Sequence, residues 1–572
     1  VRLSARGRVR AIIRRVKKVV TAEEMRELDR LTTERYSTSS LLLMEAAANA
    51  SAREIAARFS HDLRGKTAQI LCGRGNNGGD GAALARVLWM SGVRVDVVLF
   101  GGVDETKGDA RTNFEVARSL ASFAAGSSDS PPPLSFVECR DIAAWERVAS
   151  ARHNYDLIVD ALFGTGLTRP LEGVFAKVVA HLELLRAARE HAGHAAPLFV
   201  SLDIPSGLNA DSHTPIGPTA RADLTVTFTA PKPANVLPPA SHFGGQLAVA
   251  DIGTPRALIE SAPSKLFLVE AEDARAWLEA TRYTPDSYKN THGHALVVAG
   301  SRNMTGAAVL CADAAMCAGA GLVTVATASS ALPGIAARLM PEVMTAALDE
   351  TELGSVSAEA SARLNELTKR ATVVAVGCGL SRESESTRRF VRETVERRTT
   401  PVVVDADGLN SLAPWPAELR GSREAPIIIT PHEGEMLRLL GTQDHSALNE
   451  RARVVAEFAE ANQLVVLLKG TRTLVAAPDG RVFINPTGNA GLGTAGSGDT
   501  LTGIITGFLS QAFATLKDRA DAVAATIAAV YVGGLAGDFA AREAGMRAMV
   551  ASDIRKHLSA AIRSLDAEGE TP

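Results

Sequence analysis

Cysteine and aromatic residues are scarce in this sequence, and each shortage excludes a class of protein. The five cysteines, Cys72, Cys139, Cys311, Cys317 and Cys378, are odd in number and include no CxxC pair. Neither a disulfide framework nor a zinc site is indicated, and a reducing cytoplasm is the expected compartment. Aromatics make up 5%, too few for the stacking platforms that bind single-stranded nucleic acid. Charge of one sign is missing as well: 61 Lys and Arg stand against 64 Asp and Glu, so nucleic acid is not an expected partner. The longest uncharged stretch near the end, 522–537, is short for a bilayer span and diluted by Ala and Gly, which predicts a buried helix and no membrane segment. GxxxxGK[ST] is also absent, so a P-loop cannot account for any nucleotide binding.

What remains is an ordinary globular composition, 46% hydrophobic and 22% charged over 572 residues, enough for two large domains. The basic, acid-free opening, residues 1–20, lacks the apolar core of a secretory signal and is expected to be a disordered extension. Folding signals begin at Thr21, an N-cap with Glu24 three residues on. From there short β-rich runs alternate with helical periods: 66–72, 93–100, 155–162, 197–203 and 223–229. This pattern predicts a doubly wound α/β domain over 21–255, with surface insertions at 126–133 and 191–197. A second βα series starts at HGHALVVAGS (292–301), with strands at 322–326, 372–376, 401–405, 426–430 and 464–469 and a hairpin near 478–480. It predicts another α/β domain over 265–565.

In the first half, GRGNNGGDG (73–81) joins a strand to an amphipathic helix. Such a loop aims backbone N–H groups at phosphate, and the missing Cβ atoms permit close approach. Two further strand ends open onto the same crevice, where open α/β sheets bind ligands. They are DALFGTGLTRP, with Asp160, and SLDIPSG, with Asp203 and Ser206. Either aspartate alone could be a helix-capping carboxylate. Together, oxygens from Asn77, Asp160 and Ser206 suit a hard, weakly hydrated cation, which would leave Asp203 free for proton transfer.

In the second half, NPTGNAGLGTAGSGDTLTG (485–503) ends in Gly496-Ser497-Gly498-Asp499 directly before an apolar helix. The glycines form an anion hole at the helix N-terminus, and Asp499 is placed to take a proton from an attacking hydroxyl. Upstream, LLKGTRT sets Lys469 and Gly470 at a strand end. TPHEGEMLRL sets His432 in a turn before a helix, where a lone histidine is either structural or ligand-facing.

The motifs GxGNNGGDG, DALFGTGL and DIPSG resemble those of the YjeF N-terminal family, the NAD(P)H-hydrate epimerases, over residues 21–250. The series DSYKNTHGHALVVAGS, VGCGLSR, TPHEGE, KGTRT and AGSGD resembles the ribokinase-like NAD(P)H-hydrate dehydratases over 265–565. It departs from the usual ATGGSGD in carrying Gly493 and Ala495 where Ala and Gly are expected. Together the halves look like the bifunctional NAD(P)H-hydrate repair enzymes of prokaryotes.

The resemblance implies a Rossmann-like three-layer αβα domain followed by a ribokinase-like α/β domain. It implies hydrated dinucleotide (NADHX or NADPHX) bound by Asn76, Asn77, Gly78, Gly79, Asp80, Gly164, Thr165, Gly166, Leu167, Thr168, Arg169, Pro170 and Asp203, with K⁺ on Asn77, Asp160 and Ser206. In the second domain it implies substrate on Gly306, Gly379, His432, Glu433, Gly434, Glu435 and Asp499. ADP would be bound there with Mg²⁺ by Lys469, Gly470, Thr471, Arg472, Thr473, Asn489, Gly491, Gly493, Thr494, Gly496, Ser497 and Gly498. Asp203 and Asp499 are the expected catalytic residues, and a homo-oligomer is expected. The alternatives are a ribokinase-type small-molecule kinase whose product keeps its phosphate and a nucleotide-binding or protein-interaction module without catalysis.

Overall fold

The computed structural model describes residues 17–126, 133–151, 154–192 and 197–566. The chain divides into two compact units, one over Lys18–Ser264 and one from Lys265 onward. Residues 1–16 of the expected extension, and 127–132 and 193–196 of the two insertions, lie outside the described residues. Residues 17–20, assigned to a disordered extension, are ordered: Lys17–Val19 is a short strand, and Val19 and Val20 are fully buried. Their apolar side chains outweigh the basic character that suggested disorder.

The first unit opens with helix α1, Ala22–Tyr36, held by the capping box read from the sequence. The Thr21 hydroxyl accepts from the Glu24 N–H at 3.2 Å, and the Glu24 carboxylate accepts from the Thr21 N–H at 2.8 Å. Its buried face carries Met25, Leu28 and Thr32. Helix α2, Ser40–Arg58, precedes a parallel sheet of β1 (Thr67–Cys72), β2 (Arg94–Leu99), β3 (Leu134–Glu138), β4 (Leu157–Ala161), β5 (Leu198–Leu202), β6 (Leu224–Phe228) and β7 (Gln246–Ala250). The strand order is β3-β2-β1-β4-β5-β6-β7. Helix α3, Asn76–Met90, follows β1 directly.

Central strands read as unbroken apolar runs because both faces are covered. One face packs Leu84, Leu88 and Phe114, the other Trp145, Val178 and Leu182, each large side chain worth about 1.5–3 kcal/mol of burial. Strands β3 and β7 are the sheet edges that the periodicity did not reveal. Most of their residues are only partly buried, which dilutes the apolar signal. The order reverses between β1 and β4, and the crevice there receives the loops after both strands.

The second unit holds β8 (Leu266–Leu268), β9 (His294–Val298), β10 (Leu322–Ala328), β11 (Met344–Leu348), β12 (Val373–Val376), β13 (Val402–Val404), β14 (Ile427–Ile429), β15 (Val465–Leu468), β16 (Leu474–Ala476) and β17 (Val482–Ile484). They run β8-β17-β16-β15-β14-β13-β12-β9-β10-β11 across the sheet. Strand β16 is antiparallel to both neighbours, and its turn into β17 is the predicted hairpin. Helix α4, Glu433–Leu439, follows β14, and helix α5, Ser497–Gln511, follows the Gly-rich loop.

The apolar stretch at 522–537 belongs to helix α6, Ala522–Ala544. Its 23 residues are long and apolar enough to cross a membrane, which corrects the expectation of a stretch too short for a span. Within the unit, 78% of its most apolar window is buried, so the helix is part of a protein core.

Candidate active sites

In the first unit, the loops after β1, β4 and β5 surround a cavity of about 990 Å³. Asn76, Asn77, Asp80, Gly164, Thr165, Gly166, Leu167, Arg169, Pro170 and Asp203 all line it. Gly78, Gly79 and Thr168 are not among the lining residues. A Cβ on Gly78 would fall 1.8 Å from the Gly73 carbonyl oxygen, so the glycine is what allows α3 to start hard against its own loop. A Cβ on Gly164 would come within 3.1 Å of Asp203 Oδ2 and 3.4 Å of Asn77, which shows how tightly the three motifs converge.

Asp160 and Ser206 sit just below the cavity. The Asp160 carboxylate is 4% exposed and accepts from Ser206 Oγ at 2.5 Å, the Ser206 N–H at 2.8 Å, Ser201 Oγ at 3.1 Å and the Leu162 N–H at 3.2 Å. Burial raises its carboxyl above the usual range, against the pull of those donors. Asn77, which lines the cavity, is 91% buried, and neither its Oδ1 nor its Nδ2 finds a hydrogen-bond partner among the described residues. A buried amide without partners is costly, typically about 1–3 kcal/mol. That is the mark of a polar group awaiting a ligand.

Asp203, the carboxylate expected to handle the proton, is ion-paired through one of its two oxygens. Its Oδ1 accepts from the Lys232 ammonium at 2.6 Å and from Thr227 Oγ1 at 3.0 Å, with the lysine side chain 1% exposed. Lys232 follows β6 in APKP and was missed because its partner lies 29 residues away. A lysine between two prolines immediately after a central strand was the available signal. Asp29, on α1, was missed too, although it shares a helix face with buried Met25 and Leu28.

Burial, opposed by Lys232 and assisted by Asp203, pushes Asp29 up to about 6. Burial, reinforced by Asp203 and Asp29, holds Asp80 well above the carboxylate range. Three carboxyl groups therefore lie around one ammonium, and burial favours the protonated form of Asp80 and, to a lesser degree, of Asp29.

In the second unit, the predicted residues meet around another lysine. Lys469 Nζ donates to Asp405 Oδ1 at 2.8 Å and lies 3.9 Å from Glu435. Its N–H donates to the Pro431 carbonyl at 2.8 Å, tying the end of β15 to the His432 turn. A Cβ on Gly498 would sit 3.4 Å from Lys469 Nζ and 3.7 Å from Asp405 Oδ2. The start of α5 thus faces the lysine. Gly496 takes φ +85° to turn the chain into that helix, a conformation that favours glycine.

Burial pushes Asp499 up to about 6, with a hydrogen bond from Cys378 and the charge of Lys469 opposing it. Asp405 also suffers burial, but Lys469, Thr502 and Thr430 outweigh it and hold the carboxyl low. Lys469 is correspondingly raised by Asp405 and Glu435 despite burial. Asp405, Cys378 and Thr502 are the site residues that sequence reasoning missed. Asp405 ends β13 as Asp203 ends β5, and that parallel was the signal.

Gly379 packs against the turn at Met304, beside Gly306. His432 caps α4: its Nδ1 accepts from the Gly434 N–H at 3.0 Å and the Glu435 N–H at 3.4 Å. Of the expected nucleotide residues, Arg472 donates to the Pro486 carbonyl. Asn489 is tied to Gly537 and Asp538, and Ser497 donates to the Leu492 and Thr494 carbonyls. Their side chains shape the loop rather than project from it.

The chain matches two family models: NAD(P)H-hydrate dehydratase over residues 295–560 and the YjeF-related protein N-terminus over residues 40–234. It is 41% identical over 553 residues to the bifunctional NAD(P)H-hydrate repair enzyme Nnr of Moorella thermoacetica, covering 97% of this chain and 98% of that one. The enzyme of the same name from Thermofilum pendens is 37% identical over 556 residues, with 97% and 98% covered. A solved structure, the ADP/ATP-dependent NAD(P)H-hydrate dehydratase from Bacillus subtilis co-crystallised with ATP/Mg²⁺, is 30% identical. It covers 52% of this chain and 97% of that chain, with a TM-score of 0.44.

Proposed function

This chain belongs to the bifunctional NAD(P)H-hydrate repair enzymes, and from that premise we infer that each unit carries one of the two activities at the site described above. Lys18–Ser264 interconverts the R and S forms of NADHX and NADPHX. The unit from Lys265 onward dehydrates the S form with a nucleoside diphosphate, ADP, releasing AMP and phosphate. The observation that carries this reading is that each unit has its own strand-end site with its own acid/base carboxyl.

Hydration leaves a hydroxyl on a carbon beside the ring nitrogen. The nitrogen lone pair can expel that oxygen, and return of water to either face interconverts the epimers. The first cavity supplies groups that hold and move protons, Asp29, Asp80 and Asp203. A monovalent cation would find its ligands in the unpartnered amide of Asn77 together with the Asp160 carboxylate and Ser206, which are bonded to each other. K⁺ bound there would neutralise Asp160 and fix the Asn77 side chain beneath the substrate.

Irreversible dehydration needs a better leaving group than hydroxide. Asp499 removes the proton of the substrate hydroxyl as it attacks the terminal phosphorus of the nucleotide. The N–H groups at Gly496–Gly498 and the Lys469 ammonium stabilise the charge on the transferred phosphoryl. Phosphate then departs as the ring nitrogen pushes, and loss of a proton from the neighbouring ring carbon to solvent forms the C=C bond and returns the lone pair to nitrogen. Mg²⁺ is expected to be held chiefly by the phosphates themselves, as it keeps several waters and needs few protein ligands.

The test is recovery of reduced-nicotinamide absorbance from an R/S hydrate mixture with K⁺, Mg²⁺ and ADP or ATP. Complete consumption of both epimers with release of phosphate is expected. Accumulation of a stable phosphorylated compound would instead establish a small-molecule kinase.

A further inference from the structure

The first cavity holds one carboxyl that no motif accounts for. Asp29 comes from α1, outside the span 40–234 matched by the N-terminal family model. It lines the cavity, and its Oδ1 is buried without a hydrogen-bond partner among the described residues. Asp203, by contrast, has its Oδ1 occupied by both Lys232 and Thr227. The unpartnered amide of Asn77, 91% buried, lies on the same cavity wall. Two residues lining one cavity thus each carry a buried polar group without a partner, a lack that a bound polar ligand would make good.

We propose that Asp29 is the general acid of this cavity, giving its proton to the ring hydroxyl of the hydrated nicotinamide and taking one back when water returns on the other face. The assignment rests on the epimerase reading of this unit. As the C–O bond breaks, its electrons leave with the oxygen, and the ring-nitrogen lone pair forms the C=N bond. The proton from Asp29 turns the departing hydroxide into water. In the return step, water attacks the opposite face, the C=N electrons go back to nitrogen, and the Asp29 carboxylate takes the surplus proton. Nothing is consumed.

The charged groups that face Asp29 are Asp80 from α3, Asp203 after β5 and Lys232 after β6. Arg26, Arg74, Asp109 and Glu172 stand elsewhere on the wall. With a value of about 6, both forms of Asp29 are populated near neutrality, as a group that gives and takes a proton requires.

The test uses the full chain and pure R hydrate, following R-to-S conversion by chromatography without nucleotide. In the wild type, kcat should fall as pH rises above about 6, because the protonated carboxyl is the working form. In Asp29→Asn, kcat should drop about 10²–10³-fold with KM within threefold, and the pH limb should vanish. Asp29→Glu should recover part of the rate and the limb. Unfolding of each variant confirms that the unit is folded.

A rate for Asp29→Asn within threefold of wild type, or an unaltered pH limb, overturns the assignment. So does a limb that persists in Asp29→Asn and disappears in Asp80→Asn. If the wild type itself leaves R hydrate unconverted, the epimerase reading falls and this assignment falls with it. In the preceding outcomes, only the role of Asp29 is lost.

Discussion

Each unit buries a lysine against an aspartate at the carboxyl end of a strand, yet the two pairs turn opposite faces to their sites. In the first, Asp203 and Lys232 both line the cavity, but the carboxylate is the more open member, 12% exposed against 1% for the lysine. In the second, Asp405 is 2% exposed and Lys469 21%, so the carboxylate lies behind and the ammonium faces the Gly498 loop. The first site therefore presents acids, in keeping with expelling and re-adding water at a ring carbon. The second presents a cation beside a helix N-terminus, in keeping with a phosphoryl group in flight. The same ion pair, reversed, separates proton chemistry from phosphoryl chemistry.

The comparison breaks most readily at the catalytic carboxyls. Asp499→Asn should slow nucleotide-dependent dehydration of the S form about 10²–10⁴-fold while R-to-S conversion stays within twofold. A loss of both activities in that variant would show that the two sites are not independent.

The next largest effect is on stability. Lys232→Met should cost the first unit about 3–5 kcal/mol, because it leaves Asp203 charged, buried and alone. Lys232→Met with Asp203→Leu should recover most of that in denaturant unfolding. Lys469→Met should cost the second unit more, toward the upper end of about 3–5 kcal/mol, since the Asp405 it leaves behind is 2% exposed against 12% for Asp203. Equal costs would mean that the difference in burial has no energetic weight.

Asp160→Ala should raise the K⁺ concentration needed for half-maximal epimerisation about tenfold or more and leave dehydration unchanged. An unaltered K⁺ titration would remove Asp160 from the cation site.

A subtler effect concerns pH. Asp499 must be ionised to act as a base, so dehydration of the S form should fall about tenfold per unit as pH drops below about 6. The same raised value bears on stability. A carboxyl raised in the folded state favours folding while it is protonated, and that contribution is lost as pH rises through about 6. Asp499→Asn should therefore be more stable than wild type at pH 8, by on the order of 1 kcal/mol after allowance for partial exposure. The two should match near pH 4.

Much of this was legible beforehand. The buried central strands announced themselves as unbroken apolar runs, whereas edge strands β3, β7 and β11, with most of their residues only partly buried or exposed, did not. The ligand loops were legible because their chemistry is local. Asn76 to Asp80 and Gly496 to Asp499 each join a loop to the first turn of a helix, and glycine spacing alone reveals such a junction. His432 was recognised in a turn, but only the fold shows its ring spent on capping α4.

The sequence by itself determined where strands meet helices, which strand ends carry carboxylates and which loops can cradle phosphate. Each of these depends on residues adjacent in the chain. Tertiary structure alone decided the state of those carboxylates. Asp203 is paired with a lysine 29 residues away and Asp405 with one 64 residues away, while Asp29 arrives from a helix that carries no ligand motif. Desolvation and charge pairing depend on which side chains the fold brings within a few ångströms, and no local pattern encodes that.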